Sequence, residues 1–401
     1  MRILMLDNEF PPLGGGTGMV NFHLMREFAD CKEVWVDLVT SSRTKNKYEV
    51  ENFSKRIKIY KVPVHNRNIH HSTNAELLRY TRRGLEISFR LAKQNRYDLS
   101  FAFAGVPAGV ISLLLKVTTG LPYLVSLQGP DVPGFEARYR NIYPALKPII
   151  KLIWRNAALV TAISEDHQRL AYKTMQDIEI PIIHNGIDPE TFFPAKRSTL
   201  KDKPINILCV GRLIERKGQH HLLNAIKKIS QKPSIPLAKL SLVGTGDFEK
   251  DLKKMAESLG ILDSVNFLGF VPQDEMPEIY RQADVFVLPS HNEGMSIALL
   301  EALASGLPVV VTDTGGTKEL VEPGKNGFVV PWADVDELAE SLELLLRDAN
   351  LRQSMGAMSR EKSRYFSWHE IARQNFDLIK LVANNGAVHK LNAETKRSLV
   401  E

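Results

Sequence analysis

Cysteine is almost missing: the 401 residues contain two, Cys31 and Cys209. They can build neither a disulfide framework nor a metal-binding cysteine pair, which fits a reducing compartment. Cys209 sits in the apolar run Ile205-Asn206-Ile207-Leu208-Cys209-Val210 and reads as a buried, inert thiol. Long apolar runs are missing too. The opening run ends at Asp7, shorter than the apolar core of a secretion signal. Ala108–Leu115 stops at Lys116, well short of the roughly 20 residues a membrane-spanning helix needs. The expectation is a cytoplasmic protein without a spanning helix. Composition shows no skew either, with 44% hydrophobic, 24% charged and 8% aromatic residues. That excludes disorder, collagen-like repeats and small disulfide scaffolds, and at roughly 100–200 residues per domain it predicts two or three domains.

What is present is a lopsided charge. The net +6 lies wholly in the first half: residues 1–190 carry 25 Lys and Arg against 19 Asp and Glu, whereas the remainder carries 27 of each. The excess is small for a nucleic-acid binder, and none is expected. An anionic membrane surface or an acidic substrate stays open.

Short apolar, β-rich runs alternate with helical patterns. Strands are predicted near 2–7, 33–39, 57–61, 98–103, 122–127, 158–161 and 180–184, with helices such as 74–94 and 143–155 between them. The pattern restarts at 205–210 and continues near 239–243, 265–268, 284–288, 308–311 and 327–330, then closes with helices at 350–362 and 368–384. Such alternation gives parallel sheets covered on both faces, an α/β protein of two doubly wound domains. Pro189, Pro194 and Pro204, with the polar run Lys196-Arg197-Ser198-Thr199, mark a linker near 188–204.

Three stretches carry chemistry. Phe10-Pro11-Pro12-Leu13-Gly14-Gly15-Gly16-Thr17-Gly18 follows the first strand and precedes a helix. Glycines there let backbone N–H groups approach a phosphate; the alternative is a tight turn. Val210-Gly211-Arg212-Leu213-Ile214-Glu215-Arg216-Lys217-Gly218 follows the first strand of the second half, where open α/β sheets bind ligands. A guanidinium fork at Arg212 and a compact ammonium at Lys217 suit a diphosphate; a solvated basic loop is the alternative, and it fits Arg216 better. The third stretch is His291-Asn292-Glu293-Gly294-Met295-Ser296-Ile297-Ala298-Leu299-Leu300-Glu301. A helix is expected to begin near Met295, with Glu293 in the loop before it and Glu301 two turns in. Carboxylates suit sugar hydroxyls, and a carboxylate in so apolar a stretch needs a partner. Two further runs are set aside. Gly244-Thr245-Gly246-Asp247 reads as a turn and helix cap. Asp334-Val335-Asp336 has metal-transferase spacing but opens a helix, so capping explains it; no metal is expected.

With Gly211-Arg212, Lys217-Gly218, Glu293 followed by Glu301, Val309-Val310-Val311-Thr312-Asp313-Thr314-Gly315-Gly316, and His184-Asn185-Gly186-Ile187-Asp188, the chain resembles the retaining GT-B glycosyltransferases of family 4, the glycosyl transferases group 1 class. The resemblance implies two Rossmann-like domains facing a central cleft. Residues 1–188 would form the acceptor-side domain, completed by a C-terminal helix within 368–401, and residues 189–367 the nucleotide-sugar domain. It implies that Arg212 and Lys217 hold the nucleotide diphosphate and Glu301 the ribose hydroxyls. Glu293 would meet the donor sugar, aided by the N–H groups of Gly294, Met295 and Ser296. Gly15 and Gly16 would close over the diphosphate. Where such enzymes often have His-Gly-x-Asp, this chain has Gln128-Gly129-Pro130-Asp131, and Gln128 cannot be a cation. Met295 stands where an aromatic is usual. The implied activity is metal-free transfer of a hexose, with retention, from a UDP- or GDP-sugar to an acceptor hydroxyl in polysaccharide or glycolipid synthesis. No cofactor beyond the co-substrate is implied.

Arg138, Arg140, Lys147, Lys151 and Arg155, among Tyr139, Tyr143, Ile149, Ile150, Leu152 and Trp154, suggest peripheral contact with the inner, anionic membrane face and a lipid-linked acceptor glycan. A solvated basic helix face and a soluble acceptor are the alternative. A nucleotide-sugar epimerase shares the architecture and needs no acceptor. A nicotinamide-dependent oxidoreductase is disfavoured because no acidic residue ends the second strand.

Overall fold

The computed structural model describes residues 1–69, 72–195 and 204–385. They form two compact units, Met1–Asn185 joined by the helix Trp368–Asn385, and Gly186–Ser367. The run Lys196-Arg197-Ser198-Thr199 lies outside the described residues, as does the tail after 385.

The first unit runs β1 (Arg2–Leu6), α1 (Gly16–Asp30), β2 (Trp35–Ser42), β3 (Glu49–Asn52), β4 (Ile57–Pro63), α2 (Asn74–Gln94), β5 (Leu99–Phe103), α3 (Ala108–Thr119), β6 (Tyr123–Ser126), α4 (Tyr143–Asn156), β7 (Leu159–Thr161) and α5 (Glu165–Tyr172). Its sheet has the order β3-β4-β2-β1-β5-β6-β7, parallel throughout except for β3 against β4. The central strands are buried on both faces, which is why Ile3-Leu4-Met5-Leu6 and Leu99-Ser100-Phe101-Ala102-Phe103 show no polar alternation. Two expectations are corrected. β3, Glu-Val-Glu-Asn, is too polar to signal a strand and exists because it pairs with β4 at the sheet edge. The expected strand at 180–184 is only a bridge between Ala162 and Ile182.

The second unit runs β8 (Ile205–Val210), α6 (Gln219–Ser230), β9 (Ala238–Val243), α7 (Glu249–Ser258), β10 (Val265–Gly269), α8 (Met276–Arg281), β11 (Val285–Leu288), α9 (Ile297–Ala304), β12 (Val309–Thr312), α10 (Thr317–Leu320), β13 (Gly327–Val330), α11 (Val335–Arg347) and α12 (Ala349–Ser363). Its order is β10-β9-β8-β11-β12-β13, all parallel. The last helix, α13 (Trp368–Asn385), packs on α1 of the first unit. There Trp368 stacks on His23 at 4.8 Å and Phe376 meets Phe28 at 6.4 Å.

Both sheets reverse their strand order once, between β1 and β5 and between β8 and β11. Loops leaving the carboxyl ends of two such strands diverge to opposite faces and leave a crevice. Glycine-rich or charged loops follow β1, β8 and β11, so the fold puts the chemistry-bearing stretches where a ligand fits. Among the described residues no helix is long and apolar enough to cross a membrane.

Candidate active site

In the second unit the site is built on the crevice between β8 and β11. β8 ends at Val210, and residues 211–218 form the loop that leads into α6. Glu215–Lys217 make one 3-10 turn, and Gly218 caps α6 in the left-handed conformation, φ +70°. A Cβ on Gly218 would fall 1.9 Å from the Pro289 carbonyl oxygen, just past β11. Only glycine lets the two loops meet so closely. Arg216 ties them together: its carbonyl accepts from His291 N at 2.7 Å and its guanidinium donates to the Asn292 carbonyl at 3.1 Å. It is a brace rather than a solvated cation.

With the loops fixed, Lys217 Nζ bonds Glu293 Oε1. Burial is the largest influence on both groups and opposes charge. For Glu293, Lys217 and Arg216 outweigh it and hold the carboxyl below its ordinary range. For Lys217, burial prevails over Glu293, and Arg216 and Arg212 add repulsion, so the ammonium lies below its ordinary range. The two side chains keep 13% and 12% of their surface exposed, enough for an incoming anion to reach them. Arg212 lies near enough to bias Lys217, and its carbonyl accepts from Gln219 Nε2 at 3.1 Å.

The loop after β12 explains why Glu293 stands where it does. A Cβ on Gly315, φ +49°, would fall 1.7 Å from the Glu293 carbonyl oxygen, and Gly316 N donates to the Gly294 carbonyl at 2.8 Å. Thr312-Asp313-Thr314-Gly315-Gly316 therefore serves as a backbone platform under Glu293-Gly294. Gly244 and Gly246 play the same part under residues 211–213: Cβ atoms there would fall 2.2 Å from the Gly211 and Leu213 carbonyl oxygens. That corrects the expectation of a helix cap, since Phe248 precedes α7 and no side chain caps it.

The helix expected near Met295 begins two residues later. Ser296 is the N-cap of α9, its hydroxyl accepting from Leu299 N at 3.3 Å, because a Ser side chain satisfies a first-turn N–H that Met cannot. Gly294 and Met295 are buried in the loop ahead of it. Glu301 lies on the second turn, 5% exposed. Its partners were not legible in sequence: Gln273 Nε2 after β10 and the buried Tyr280 hydroxyl of α8, each donating at 2.8 Å. Burial pushes the Glu301 carboxyl up to about 7, opposed in part by those two hydrogen bonds.

In the first unit Gly15 is the N-cap of α1, followed by Gly16, and Gly15 N donates to Glu9 Oε2 at 2.8 Å. Glu9 is a second residue that sequence reasoning missed. Gln128 donates from its side chain to Ser126 Oγ at 2.8 Å. Its loop is shaped by Asp131, whose carboxylate accepts from Gln128 N, Gly129 N and Gly105 N at 2.9–3.0 Å. Asp334 caps α11, accepting from Glu337 N at 2.9 Å, and Asp336 pairs with Lys228. Asp334 thus has the capping duty expected of it, and the Asp336–Lys228 pair was not foreseen. Cys209 is buried, and burial pushes its thiol up to about 12.

Two Rossmann-like units, one with a cation–carboxylate pair at its switch point, have the architecture of a GT-B glycosyltransferase. The comparisons agree. Residues 14–191 match the family described as Glycosyltransferase Family 4, and residues 192–362 match Glycosyl transferases group 1. A GDP-mannose-dependent alpha-(1-6)-phosphatidylinositol monomannoside mannosyltransferase of Mycobacterium tuberculosis is 29% identical over 308 residues, 73% of this chain and 78% of that one. An uncharacterized glycosyltransferase of Methanocaldococcus jannaschii is 27% identical over 396 residues, 95% of this chain and 98% of that one. Sucrose-phosphate synthase from Thermosynechococcus elongatus shares the fold with a TM-score of 0.84 at 21% identity, covering 95% of this chain and 98% of that one. HepE of Anabaena, solved with UDP and glucose, gives 0.72 at 21%, covering 94% and 99%. The chain belongs to the glycosyl transferases group 1 family and is a glycosyltransferase.

Proposed function

We propose that the protein moves a hexose, with retention and without a metal ion, from a UDP- or GDP-sugar to an acceptor hydroxyl in glycolipid or polysaccharide synthesis. The observation that carries this is the Lys217–Glu293 pair at the β8/β11 switch point, with Arg212 beside it. A diphosphate needs fixed cations; a sugar ring needs a carboxylate whose charge is already compensated. Arg212 and Lys217 are assigned to the diphosphate and Glu301 to the ribose. Glu293, with the N–H groups of Gly294, Met295 and Ser296, is assigned to the sugar. Gly15, Gly16 and Gln128 are kept as donor contacts of the first unit. Of the relatives, the Mycobacterium tuberculosis enzyme is named for GDP-mannose and phosphatidylinositol monomannoside, and HepE was solved with UDP. Both support a nucleotide sugar and leave the base open.

In the proposed reaction the bond between the anomeric carbon and the diphosphate breaks as the acceptor hydroxyl adds on the same face. Its proton passes to the departing phosphate, and negative charge grows there. Lys217 and Arg212 meet that charge in a site with little water, where one such fixed donor contributes ~3–4 kcal/mol. Glu293 is engaged by Lys217 and is assigned to binding, not to a covalent intermediate.

The second part of the proposal is place. α4 buries Tyr143, Ile150, Ile153 and Trp154, which removes three residues from the expected interfacial set; Ile142 just before it and Ile149 and Leu152 on one side of the helix stay exposed, while Lys147 and Lys151 are half-buried on another side. That stripe supports peripheral contact of a cytoplasmic enzyme with anionic lipid and a lipid-linked acceptor.

The test is transfer of labelled hexose from UDP- and GDP-hexoses in exhaustive EDTA. Activity retained in EDTA is expected. Activity lost and then restored by Mg²⁺ or Mn²⁺ would contradict the metal-free reading, and release of a changed free sugar with no acceptor product would favour an epimerase.

A further inference from the structure

Three imidazoles of the second unit meet one indole. Trp332, in the turn between β13 and α11, is met near edge-on by His221 at 4.8 Å, by His291 at 4.9 Å and by His220 at 6.4 Å between ring centres. His220 and His221 are consecutive on the first turn of α6, their rings 3.9 Å apart, and His220 also meets Phe248 at 5.6 Å.

The turn that carries Trp332 is tightly built. Asp334 N donates to the Pro331 carbonyl at 3.3 Å, and Ala333 sits at φ +62°, which a residue with a Cβ holds only where its surroundings enforce it. The indole so placed lies against Gly218, where an added Cβ would fall 2.8 Å from Trp332 Cζ3. Gly218 directly follows Lys217 and ends the turn Glu215–Lys217. On the other flank the His291 ring touches the indole while His291 N holds the Arg216 carbonyl at 2.7 Å. Trp332 and His291 thus wall in the turn that sets out Lys217.

This cluster resists protons. His220 and His221 are half-buried, and burial lowers the pKa of both. His220 lowers that of His221 further, whereas Glu215 acts on His220 in the opposite sense. Both rings also lie at the positive, N-terminal end of α6, which disfavours a cation. The other charged groups about them are committed or exposed. Arg216 and Lys217 are of like sign, Glu293 pairs with Lys217, and Asp334 caps α11. Beside Phe248, Glu249 pairs with Lys253 and Asp247 is exposed.

We infer that Trp332 is a positioning residue for Lys217 and that His220 and His221 make its hold proton-sensitive: neutral rings keep the indole on Gly218, while protons entering them drive the rings apart, release the turn and weaken donor binding. The inference rests on the assignment of Lys217 to the diphosphate and adds a regulation to that site. Below pH 6.5, the ordinary histidine value, the unfolded chain takes up protons that the packed cluster resists, so the packed form loses stability as pH falls through that value. By reciprocity, bound donor favours the neutral rings.

The test measures the affinity of the full chain for UDP-glucose and for GDP-mannose at pH 8 and pH 5.5, a range in which their esterified diphosphates do not titrate. The variants are Trp332→Ala, Trp332→Phe and His220→Asn/His221→Asn, each titrated well below its melting temperature at both pH values. We expect Trp332→Ala to weaken binding at least tenfold at pH 8 and Trp332→Phe, which keeps a ring against Gly218, to recover most of it. Acidification should weaken wild-type binding by a factor at least five times that for the histidine variant; the titration of Glu301, common to both, cancels in this ratio. Undiminished binding in folded Trp332→Ala, or an acid loss as large in the histidine variant as in wild type, overturns the proposal. Should Trp332→Ala not fold, the ratio between wild type and the histidine variant decides alone. Wild type that binds neither sugar nucleotide at pH 8 strikes the transferase reading and this inference with it, whereas binding without the Trp332 and histidine effects strikes this one alone.

Discussion

Glu301 shows how burial and function share one side chain. With its carboxyl pushed up to about 7, the folded protein binds a proton that the unfolded chain releases near pH 4.5. Between those values folding takes up a proton, so stability falls as pH rises through that window, and the full penalty, about 3 kcal/mol, is in place above pH 7. Glu301→Gln removes the titration. It should melt higher than wild type at pH 8, with the gap closing by pH 5, and it should bind UDP or GDP at least tenfold more weakly if the ribose hydroxyls bond this carboxylate. Thermal melts at the two pH values check the first point and calorimetry the second; an unchanged gap between pH 5 and 8 would count against the buried, protonated acid. Of this pair of facts, only the need for a partner was legible in sequence. The apolar surroundings of Glu301 predicted one, but Gln273 and Tyr280 lie 28 and 21 residues away, and no local periodicity encodes such a pairing.

At the scale of elements, strands buried on both faces announced themselves as apolar runs, and α11 announced itself through Asp334 at its N-cap, whereas the capping box of Thr73 and Glu76 on α2 came from the structure. β3 did not, because pairing rather than hydrophobicity makes it a strand. Nor did the glycine platforms, because a glycine required by a neighbouring loop looks in sequence like any turn glycine. Gly218 and Gly260 separate the two cases. Both have positive φ, +70° and +66°, but a Cβ on Gly260 meets nothing within 4 Å, while one on Gly218 strikes Pro289. Gly260→Ala should cost about 1 kcal/mol from the backbone alone. Gly218→Ala should cost more than about 2 kcal/mol and displace Lys217, weakening nucleotide binding as well. Equal melting temperatures for the two variants would refute the close-approach argument. On α4, Ile149 and Leu152 stay exposed, and Lys147 and Lys151 carry cations on a neighbouring side. Lys147→Ser/Lys151→Ser should reduce pelleting with anionic vesicles at low salt, since each cation near such a surface contributes about 1 kcal/mol, and should leave nucleotide affinity alone. Negligible pelleting of wild type at any salt would make the stripe an ordinary solvated face.

For the molecule as a whole, the charge pattern and the two repeated sheets tell one story. The second unit, with 22 Lys and Arg against 25 Asp and Glu, is slightly acidic yet sets Arg212 and Lys217 at its switch point. The first unit carries the basic excess, 30 Lys and Arg against 21 Asp and Glu. The fold class was legible because each half repeats strand, loop and helix in the same order. The identity of the base and of the sugar was not, because the motifs that mark the family are shared by its members, and at Gln128 and Met295 this chain departs from their usual residues. The central claim is that the β8/β11 switch point holds the diphosphate of a nucleotide sugar through Arg212 and Lys217. Calorimetric titration of UDP and GDP into wild type, Arg212→Ala and Lys217→Ala tests it most directly. The account predicts that one nucleotide binds wild type and that each substitution weakens it by roughly 30-fold or more, for a charge-assisted contact of about 2–4 kcal/mol. Wild-type affinity in both variants, with both folded, would contradict it.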